Sequence, residues 1–404
     1  MSLSELYAKE KITPSVEAAI VAKEDFTKIQ SNYCDRVCRL KCKNYESVSL
    51  DHRAVDVLII QDHDAIRDGY KDAARIERSH RTILAELCGR NLAGLSYKLV
   101  NVLKCQLEDE DLARSNKPPT AAVQLKCSPY LKKEIELSKP KVIISLTNNA
   151  TKVLGLKKSN YTNRGEIHGN VILTLHPKIT LMIRQNSSGK MWGSDYWDVI
   201  DKDFAKAGRI ARGELRVPSL DTGIEKQKDN IFICRTILDV RKVIQELSDL
   251  PLTRIVSFDT ETTGLDPWAL DAKLLTIQFG YRTSKGSIRS IVIPLFHREN
   301  NLYDPREAWV YVADFLKGDH PKIGHNVKFD ILYIFATTGV RVNNVVFDTM
   351  LVLHSLNSGI QGNYGLKRAV WDYLPETGLG GYEDKLPNLT KVKEKDEEEE
   401  SEDV

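Results

Sequence analysis

The stretch Ile255-Val-Ser-Phe-Asp259-Thr-Glu261-Thr-Thr-Gly264 decides the fold of the second half of this chain of 404 residues. Ile255–Phe258 predicts a short buried strand, and Thr262–Gly264 predicts the turn that ends it. Asp259 and Glu261 are two residues apart and therefore share one face of the extended segment. Because carboxylate oxygens are typical ligands of Mg²⁺ or Mn²⁺, the stretch predicts a divalent cation site at a strand end.

A second motif, Gly324-His-Asn326-Val-Lys-Phe-Asp330, follows about seventy residues later. Three apolar residues at helical spacing predict a helix there: Phe329, Leu332 and Phe335. Asn326 then occupies the N-cap position, and Asp330 lies in the first turn. A single aspartate at such a position is more often a turn or cap residue, but two motifs in this order favour a shared site. Paired hard cations held by carboxylates are suited to phosphodiester cleavage.

Together with Phe347-Asp348-Thr-Met350-Leu and Tyr364-Gly-Leu-Lys-Arg368, the two motifs closely resemble the proofreading exonuclease domain of family-A (DNA polymerase I-like) DNA polymerases, particularly bacteriophage ones. The resemblance covers about residues 229–386 and implies a ribonuclease H-like α/β fold, with a mixed sheet flanked by helices. Its implied catalytic residues and ligands of two Mg²⁺ or Mn²⁺ ions are Asp259, Glu261 and Asp330. It also implies that Leu265 and Asn326 lie near the 3′-terminal nucleotide of a DNA strand and that Asp348 braces the site.

The family's third motif, a tyrosine and an aspartate four residues apart, has no counterpart after Gly381–Lys385. Tyr364 with Arg368, or Tyr373 with Thr377, supplies the tyrosine spacing without the aspartate. The polymerase palm, fingers and thumb are absent as well. We therefore expect the N-terminal portion or subunit of a phage replicative DNA polymerase, from a split or interrupted gene, whose second polypeptide carries the third motif and the polymerase domain.

The first half of the chain is rich in cysteine. No secretory segment or apolar run long enough to span a bilayer is found, which predicts a soluble cytoplasmic protein, in the host cytoplasm if the chain is viral. Disulfides are rare in such a compartment, so the cluster Cys34-x₃-Cys38-x₃-Cys42 favours metal or cluster ligation. Cys88 and Cys234 lie on apolar stretches and are predicted core residues.

Five segments occur in the order and spacing of family-4, iron–sulfur uracil-DNA glycosylases: Tyr97–Cys105, Lys117–Thr120, Cys127–Leu131, Lys139–Leu146 and Leu173–Pro177. The resemblance covers about residues 31–207 and implies a parallel sheet with helices on both faces. Three apolar runs fit its buried strands: Val55–Ile60, Val142–Leu146 and Val171–Leu175. It also implies a [4Fe–4S] cluster held by four of five cysteines: Cys34, Cys38, Cys42, Cys105 and Cys127. A cysteine-rich domain without a cluster is the alternative.

Glycosylase chemistry is not expected from this domain. Gln61–Asp68 follows the first strand but lacks the family's glycines, which allow the backbone to approach a base closely. Asp62 or Asp64 could in principle substitute for the water-activating residue. His176-Pro177 matches a DNA-contacting loop of the family, and three basic residues follow: Lys178, Arg184 and Lys190. The resemblance therefore favours a DNA-holding module.

The charge distribution supports a nucleic-acid partner. The formal net charge is +2, but the last eleven residues hold eight acids and one lysine, so the other 393 carry about +9. One predicted helix carries four basic residues that would neutralise phosphates or form a solvated face: Lys202, Lys206, Arg209 and Arg212. The chain divides into a helical lead (1–30), a glycosylase-like domain (31–212), a linker (213–228), an exonuclease domain (229–386) and an acidic disordered tail (387–404).

Two other hypotheses compete with the polymerase portion. In the first, the chain is a stand-alone DNA repair enzyme, either a nuclease in which Asp348, Asp372 or Asp384 replaces the missing ligand or a glycosylase. In the second, it is a non-catalytic DNA-binding scaffold, and no turnover occurs with any metal. The three hypotheses differ in the hydrolysis that each predicts for the purified chain.

Overall fold

The structure is a computed structural model that describes residues 54–62, 73–102, 128–177, 179, 195–297, 302–356 and 364–381. The described residues form two compact units. The first unit comprises residues up to Val217 together with Trp371–Glu376, and the second begins at Pro218. None of the described helices has the length and apolar character needed to cross a membrane.

The first unit is built on a five-stranded sheet in the order β2-β1-β3-β5-β4. Its strands are β1 (Val57–Gln61), β2 (Tyr97–Asn101), β3 (Val142–Ser145), β4 (Ile167–His168) and β5 (Val171–Leu173). All pairs are parallel except β4 with β5. β1, β3 and β5 are buried along their whole length, as the three apolar runs predict.

Helices cover both faces of this sheet: α1 (Ala73–Asn91), α2 (Ser128–Ser138), α3 (Asn148–Val153) and α4 (Asp195–Ala211). Successive residues of β1 point to opposite faces. Val57 and Ile59 pack with residues of α1 and α4, whereas Leu58 and Ile60 pack with residues of α2 and α3. The predicted parallel sheet with helices on both sides is therefore confirmed.

The prediction that Lys206 belongs to a phosphate-neutralising helix face is wrong. Lys206 lies on α4, but only 5% of its surface is exposed, and its Nζ donates to the carbonyl of Gly165 at 2.9 Å. The same Nζ is 3.8 Å from Asp203 and 3.7 Å from Asp372. Buried carboxylates need a cationic partner, and Lys206 is held inside by two of them.

The second unit is built on a six-stranded mixed sheet in the order β11-β10-β7-β8-β9-β6. Its strands are β6 (Ile231–Ile233), β7 (Val256–Thr262), β8 (Leu274–Arg282), β9 (Ile288–Pro294), β10 (Lys322–Gly324) and β11 (Val345–Asp348). β7, β8 and β9 are antiparallel neighbours, while β10 is parallel to β7 and β11, and β6 is parallel to β9. A mixed sheet is what the resemblance of residues 229–386 to proofreading exonuclease domains implies.

The remaining helices are α5 (Leu220–Gln227), α6 (Ile237–Ser248), α7 (Pro305–Lys317), α8 (Val327–Thr338), α9 (Thr349–Leu356) and α10 (Leu366–Tyr373). α6 begins with a capping box between Thr236 and Asp239, and its apolar stripe is buried. α7 begins with Pro305 at its first position, next to the N-cap Asp304. α5 lies within the stretch that the sequence predicts to be a linker.

Candidate active site

The end of β7 presents two of the predicted carboxylates on one face. Residues alternate along the strand, so Val256, Phe258 and Thr260 are buried while Asp259 and Glu261 are exposed. The strand is longer than the predicted Ile255–Phe258, because pairing with β8 continues through both carboxylates. This pairing holds the two side chains on a rigid element rather than on a loop.

Asp330 reaches the same strand from α8. Its carboxyl is 3% exposed, and its Oδ1 accepts hydrogen bonds from the backbone N–H of Thr260 at 3.0 Å and from Thr260 Oγ1 at 2.5 Å. β10 pairs with β7 only at Val256 and Ser257, so it does not extend alongside Thr260. Asp330 therefore accepts the backbone hydrogen bond that a longer neighbouring strand would have taken.

Burial raises the pKa values of all three carboxyl groups, and the charge of Asp259 adds to the shift of the other two. Partial desolvation raises the pKa of Asp259, against a smaller opposing effect of nearby His325. Desolvation and the negative charge of Asp259 raise the pKa of Glu261. Burial, and to a lesser extent Asp259, raise the pKa of Asp330 to about 6 despite the hydrogen bonds from Thr260. Negative charge thus accumulates around Asp259, and a bound cation would neutralise it.

The N-terminus of α8 is capped by a residue from another element. Asn326 is the N-cap, as predicted, but its backbone is left-handed (φ 58°) and its side chain makes no capping bond. Asp348 does so instead, because its carboxylate accepts the N–H groups of Asn326 at 3.0 Å and Val327 at 2.9 Å. It also accepts the N–H of Met350 at 2.8 Å. Asp348 thereby fixes the position of the helix that carries Asp330.

The three aspartates proposed to replace the missing fourth ligand differ in their placement. Asp348 is engaged with backbone N–H groups, and Asp372 belongs to the first unit, where it pairs with Arg164 at 2.7 Å. Asp384 lies outside the described residues. Within the described ranges, no three His, Cys, Asp or Glu side chains converge closely enough to hold one ion as they stand.

The first unit has a polar cluster where its parallel strands end. Gln61, at the end of β1, donates from Nε2 to Asn101 Oδ1 at 2.9 Å and accepts at Oε1 from His176 Nε2 at 3.2 Å. Asp62 accepts hydrogen bonds from Thr147 Oγ1 and, at 3.1 Å, from Asn149. Both oxygens of the Asp62 carboxylate are therefore hydrogen-bonded. The cluster lies at the carboxyl edge of a parallel sheet, which is a frequent ligand-binding position.

Several predicted site residues lie outside the described residues: Cys34, Cys38, Cys42, Cys105, Cys127, Asp64, Lys178, Arg184 and Lys190. The two cysteines predicted to be core residues, Cys88 and Cys234, are buried. Burial raises the pKa of each thiol to about 12. Both are therefore unreactive thiols at neutral pH.

Thr260 is a residue of the candidate site that the sequence motifs do not single out. It lies between Asp259 and Glu261, so strand alternation turns it to the buried face, where the other residues of β7 are apolar. A hydroxyl on an apolar face needs a partner, and this is a signal that the sequence contains. What the sequence lacks is the identity of that partner, Asp330, which comes from a helix seventy residues later.

Two family models match separate parts of the chain. Residues 231–374 match the model described as "3'-5' exonuclease". This match identifies a 3'-5' exonuclease domain in the second half of the chain. Residues 74–199 match the uracil DNA glycosylase superfamily, so a glycosylase-like domain precedes the exonuclease domain.

The DNA polymerase of Bacillus phage SP01 is 27% identical to this chain over 286 residues, which are 67% of this chain and 29% of that protein. The chain is thus a homologue of a phage DNA polymerase and spans about 29% of its length. Among solved structures, Brucella melitensis NrnC is 24% identical over 30% of this chain and 52% of its own, with a TM-score of 0.23. The EXD2 exonuclease domain soaked in Mg is 18% identical over 35% of this chain and 69% of its own, with a TM-score of 0.22.

Removing the hydroxyl of Thr260 should slow hydrolysis without weakening DNA binding. Thr260→Val keeps the side-chain shape and the backbone N–H bond, but Asp330 loses one of its two donors. We expect kcat to fall about 10- to 100-fold, the usual effect of losing a group that orients a ligand. KM should stay within about twofold, and Thr260→Ser should restore kcat because it returns the hydroxyl. A Thr260→Val variant as fast as the unmodified chain would contradict this role.

Asp330 should make the metal-free protein less stable as the pH rises. Its pKa is about 6 in the folded protein and about 3.8 when unfolded. The folded state therefore binds more protons between these values, and the free energy of unfolding falls as the pH rises through this window. Asp330→Asn should remove this dependence on pH and raise the free energy of unfolding by about 1–3 kcal/mol at pH 7.5.

Chemical denaturation in EDTA at pH 4.5 and pH 7.5 measures the effect. The exposed Asp314→Asn serves as the matched control and should change neither value. An Asp330→Asn variant that is less stable than the unmodified chain at pH 7.5 would refute the account.

Proposed function

We propose that the exonuclease domain removes nucleotides from the 3′ end of DNA, as the proofreading part of a phage replicative DNA polymerase of which this chain is the N-terminal portion or a subunit. The observation that carries the proposal is the placement of three carboxyl groups at the end of β7, inside the range matched by the exonuclease model. Asp259 and Glu261 share the exposed face of the strand, and Asp330 accepts a hydrogen bond from Thr260, which lies between them. Leu265 and Asn326, both exposed, would contact the 3′-terminal nucleotide.

Divalent metal ions fit this site. Its three side chains offer hard oxygen donors. Their pKa values are raised by desolvation and, for Glu261 and Asp330, by the charge of Asp259, so a bound cation would favour the ionised carboxylates. Asp259 and Glu261 are exposed, and Asp330 uses one oxygen, Oδ1, for both bonds to Thr260. Two Mg²⁺ or Mn²⁺ ions held by these residues would supply an activated water and stabilisation of the leaving oxygen. The protein itself orients the carboxylates through Thr260 and through the cap that Asp348 forms.

A second polypeptide, carrying the third exonuclease motif and the polymerase domain, would complete the site. Support comes from the two aspartates whose carboxylates are already engaged, Asp348 by backbone N–H groups and Asp372 by Arg164. With both engaged, the described residues of the exonuclease domain offer three carboxylates at the end of β7. We expect the chain alone to be a slow nuclease.

For the glycosylase-like domain we propose DNA holding rather than base removal. His176 lies with Gln61 at the carboxyl edge of the sheet, and Asp62 is paired with Thr147 and Asn149, which leaves it poorly placed to activate water. Lys178, Arg184 and Lys190 would add phosphate contacts. A [4Fe–4S] cluster on four of the five candidate cysteines, Cys34, Cys38, Cys42, Cys105 and Cys127, is also part of the proposal.

We further propose the domain bounds 31–212 and 229–386, with a lead over 1–30, a linker over 213–228 and a tail over 387–404. The change of compact unit between Val217 and Pro218 falls within that linker and supports this division. The host cell cytoplasm is the proposed location.

Digestion of a single-stranded oligonucleotide labelled at its 5′ end tests the proposal. With Mg²⁺ or Mn²⁺ we expect successive loss of single nucleotides from the 3′ end, no loss in EDTA, and faster loss when the second polypeptide is added. A uracil-containing duplex should remain intact. Internal cleavage, or digestion unaffected by EDTA, would overturn the exonuclease proposal. A second polypeptide that neither binds nor accelerates digestion would overturn the two-chain version alone.

A further inference from the structure

The connection between β7 and β8 is an ordered loop that begins two residues after Glu261. Its ends are held together, since the N–H of Thr263 donates to the carbonyl of Lys273 at 3.1 Å and the N–H of Lys273 donates to Thr263 Oγ1 at 3.1 Å. Thr263 Oγ1 also lies 3.2 Å from the hydroxyl of Tyr333, on the helix that carries Asp330. The base of the loop is therefore attached to both elements of the carboxylate site.

This loop exposes three large apolar side chains within six residues. The exposed fractions are 86% for Leu265, 66% for Trp268 and 109% for Leu270. The backbone beneath them is fixed, because Asp266 Oδ1 accepts the N–H of Trp268 at 3.0 Å. Clustered apolar side chains of this size on a surface mark a binding site more often than isolated ones do.

We propose that Trp268 is a base-stacking residue of the exonuclease site, which grips single-stranded DNA near its 3′ end whatever its sequence. The inference rests on the proposed function and adds to it the residue that selects unpaired strands. An indole face stacks on any base, since every base has a π-face, but only a base outside a duplex is free to stack on it. Leu265 and Leu270 would border the same base on either side.

Two features of the surroundings favour DNA over a protein partner on this loop. The loop continues directly from the strand that holds Asp259 and Glu261, so an occupant of the loop is next to the reacting end. Exposed lysines lie at the loop base (Lys273) and in the first turn of α8 (Lys328), where they would neutralise phosphates. A protein partner would need no such relation to the carboxylates.

The test measures binding of a fluorescently labelled oligothymidylate to the full chain in EDTA, where no hydrolysis occurs. Trp268→Ala should weaken binding about 5- to 100-fold, the range found for losing one stacked base, and Trp268→Phe should recover most of it. Leu252→Ala is the matched control, because Leu252 is 62% exposed but precedes the opposite end of β7. Its affinity should equal that of the unmodified chain.

A second substrate separates stacking from general loss of structure. An oligonucleotide with abasic sites at its last three positions should bind the unmodified chain more weakly, and Trp268→Ala should weaken it no further. Trp268→Ala binding as tightly as the unmodified chain, or an equal loss on both oligonucleotides, would overturn the inference. Either result leaves the metal-dependent digestion intact, so it is distinguishable from failure of the proposed function.

Discussion

Asp259→Ala is expected to reduce 3′→5′ hydrolysis of single-stranded DNA by about 100- to 1000-fold, the range found when a principal electrostatic group of an active site is removed. Asp259 is the carboxylate whose charge acts on both other members of the site, Glu261 and Asp330. Its loss would remove a ligand and lower the charge that attracts a cation. Single-turnover hydrolysis of a labelled oligonucleotide measures the effect.

The same variant should remain folded. Asp259 lies on the exposed face of β7, and its removal relieves repulsion between carboxylates rather than breaking a packed contact. Asp271→Asn, in the exposed loop after β7, is the matched control and should retain full activity. If Asp259→Ala hydrolyses DNA within about tenfold of the unmodified chain, these carboxylates are not the site.

Arg164→Ala is expected to lower the free energy of unfolding of the first unit by about 3–5 kcal/mol, as breaking a buried ion pair usually does. The Arg164 side chain is 1% exposed and donates to both oxygens of fully buried Asp203, at 3.0 and 3.1 Å, and to Asp372 at 2.7 Å. Asp203 also accepts from Thr174 Oγ1 at 2.6 Å. Without the guanidinium, two largely buried carboxylates would face Lys206 alone.

A surface pair in the second unit offers the comparison. Arg241 lies 2.9 Å from Glu307, and both side chains are about half exposed. Arg241→Ala should cost less than about 1 kcal/mol, because water screens such pairs. Urea denaturation followed by a probe in each unit measures the two variants. Equal costs for Arg164→Ala and Arg241→Ala would show that the buried network adds no more than a surface pair.

The sequence predicts much of the fold because its local patterns are strong. Four apolar residues in a row identify β1, and the alternation of β7 places Asp259 and Glu261 on one face. Both patterns depend only on neighbours along the chain. The same holds for the helix starts at Thr236 and Pro305, where the capping residues are adjacent in sequence.

What the sequence does not predict are contacts between elements distant along the chain. Thr260 meets Asp330 because β10 ends early, and Asp348 caps α8 because β11 lies beside β10. Lys206 fits a basic helix stripe by spacing alone, yet Asp203 and Asp372 hold it inside the protein. In each case the decisive contact is with a residue that is distant along the chain and adjacent only in the folded structure.

Anomalous diffraction from crystals of the full chain soaked in Mn²⁺ shows whether the three carboxylates bind metal. We expect Mn²⁺ at the end of β7 with Asp259, Glu261 and Asp330 as its protein ligands, and no Mn²⁺ there in Asp259→Ala crystals. A β7 site without Mn²⁺ in the unmodified chain, or Mn²⁺ bound without any of these carboxylates, would contradict this expectation.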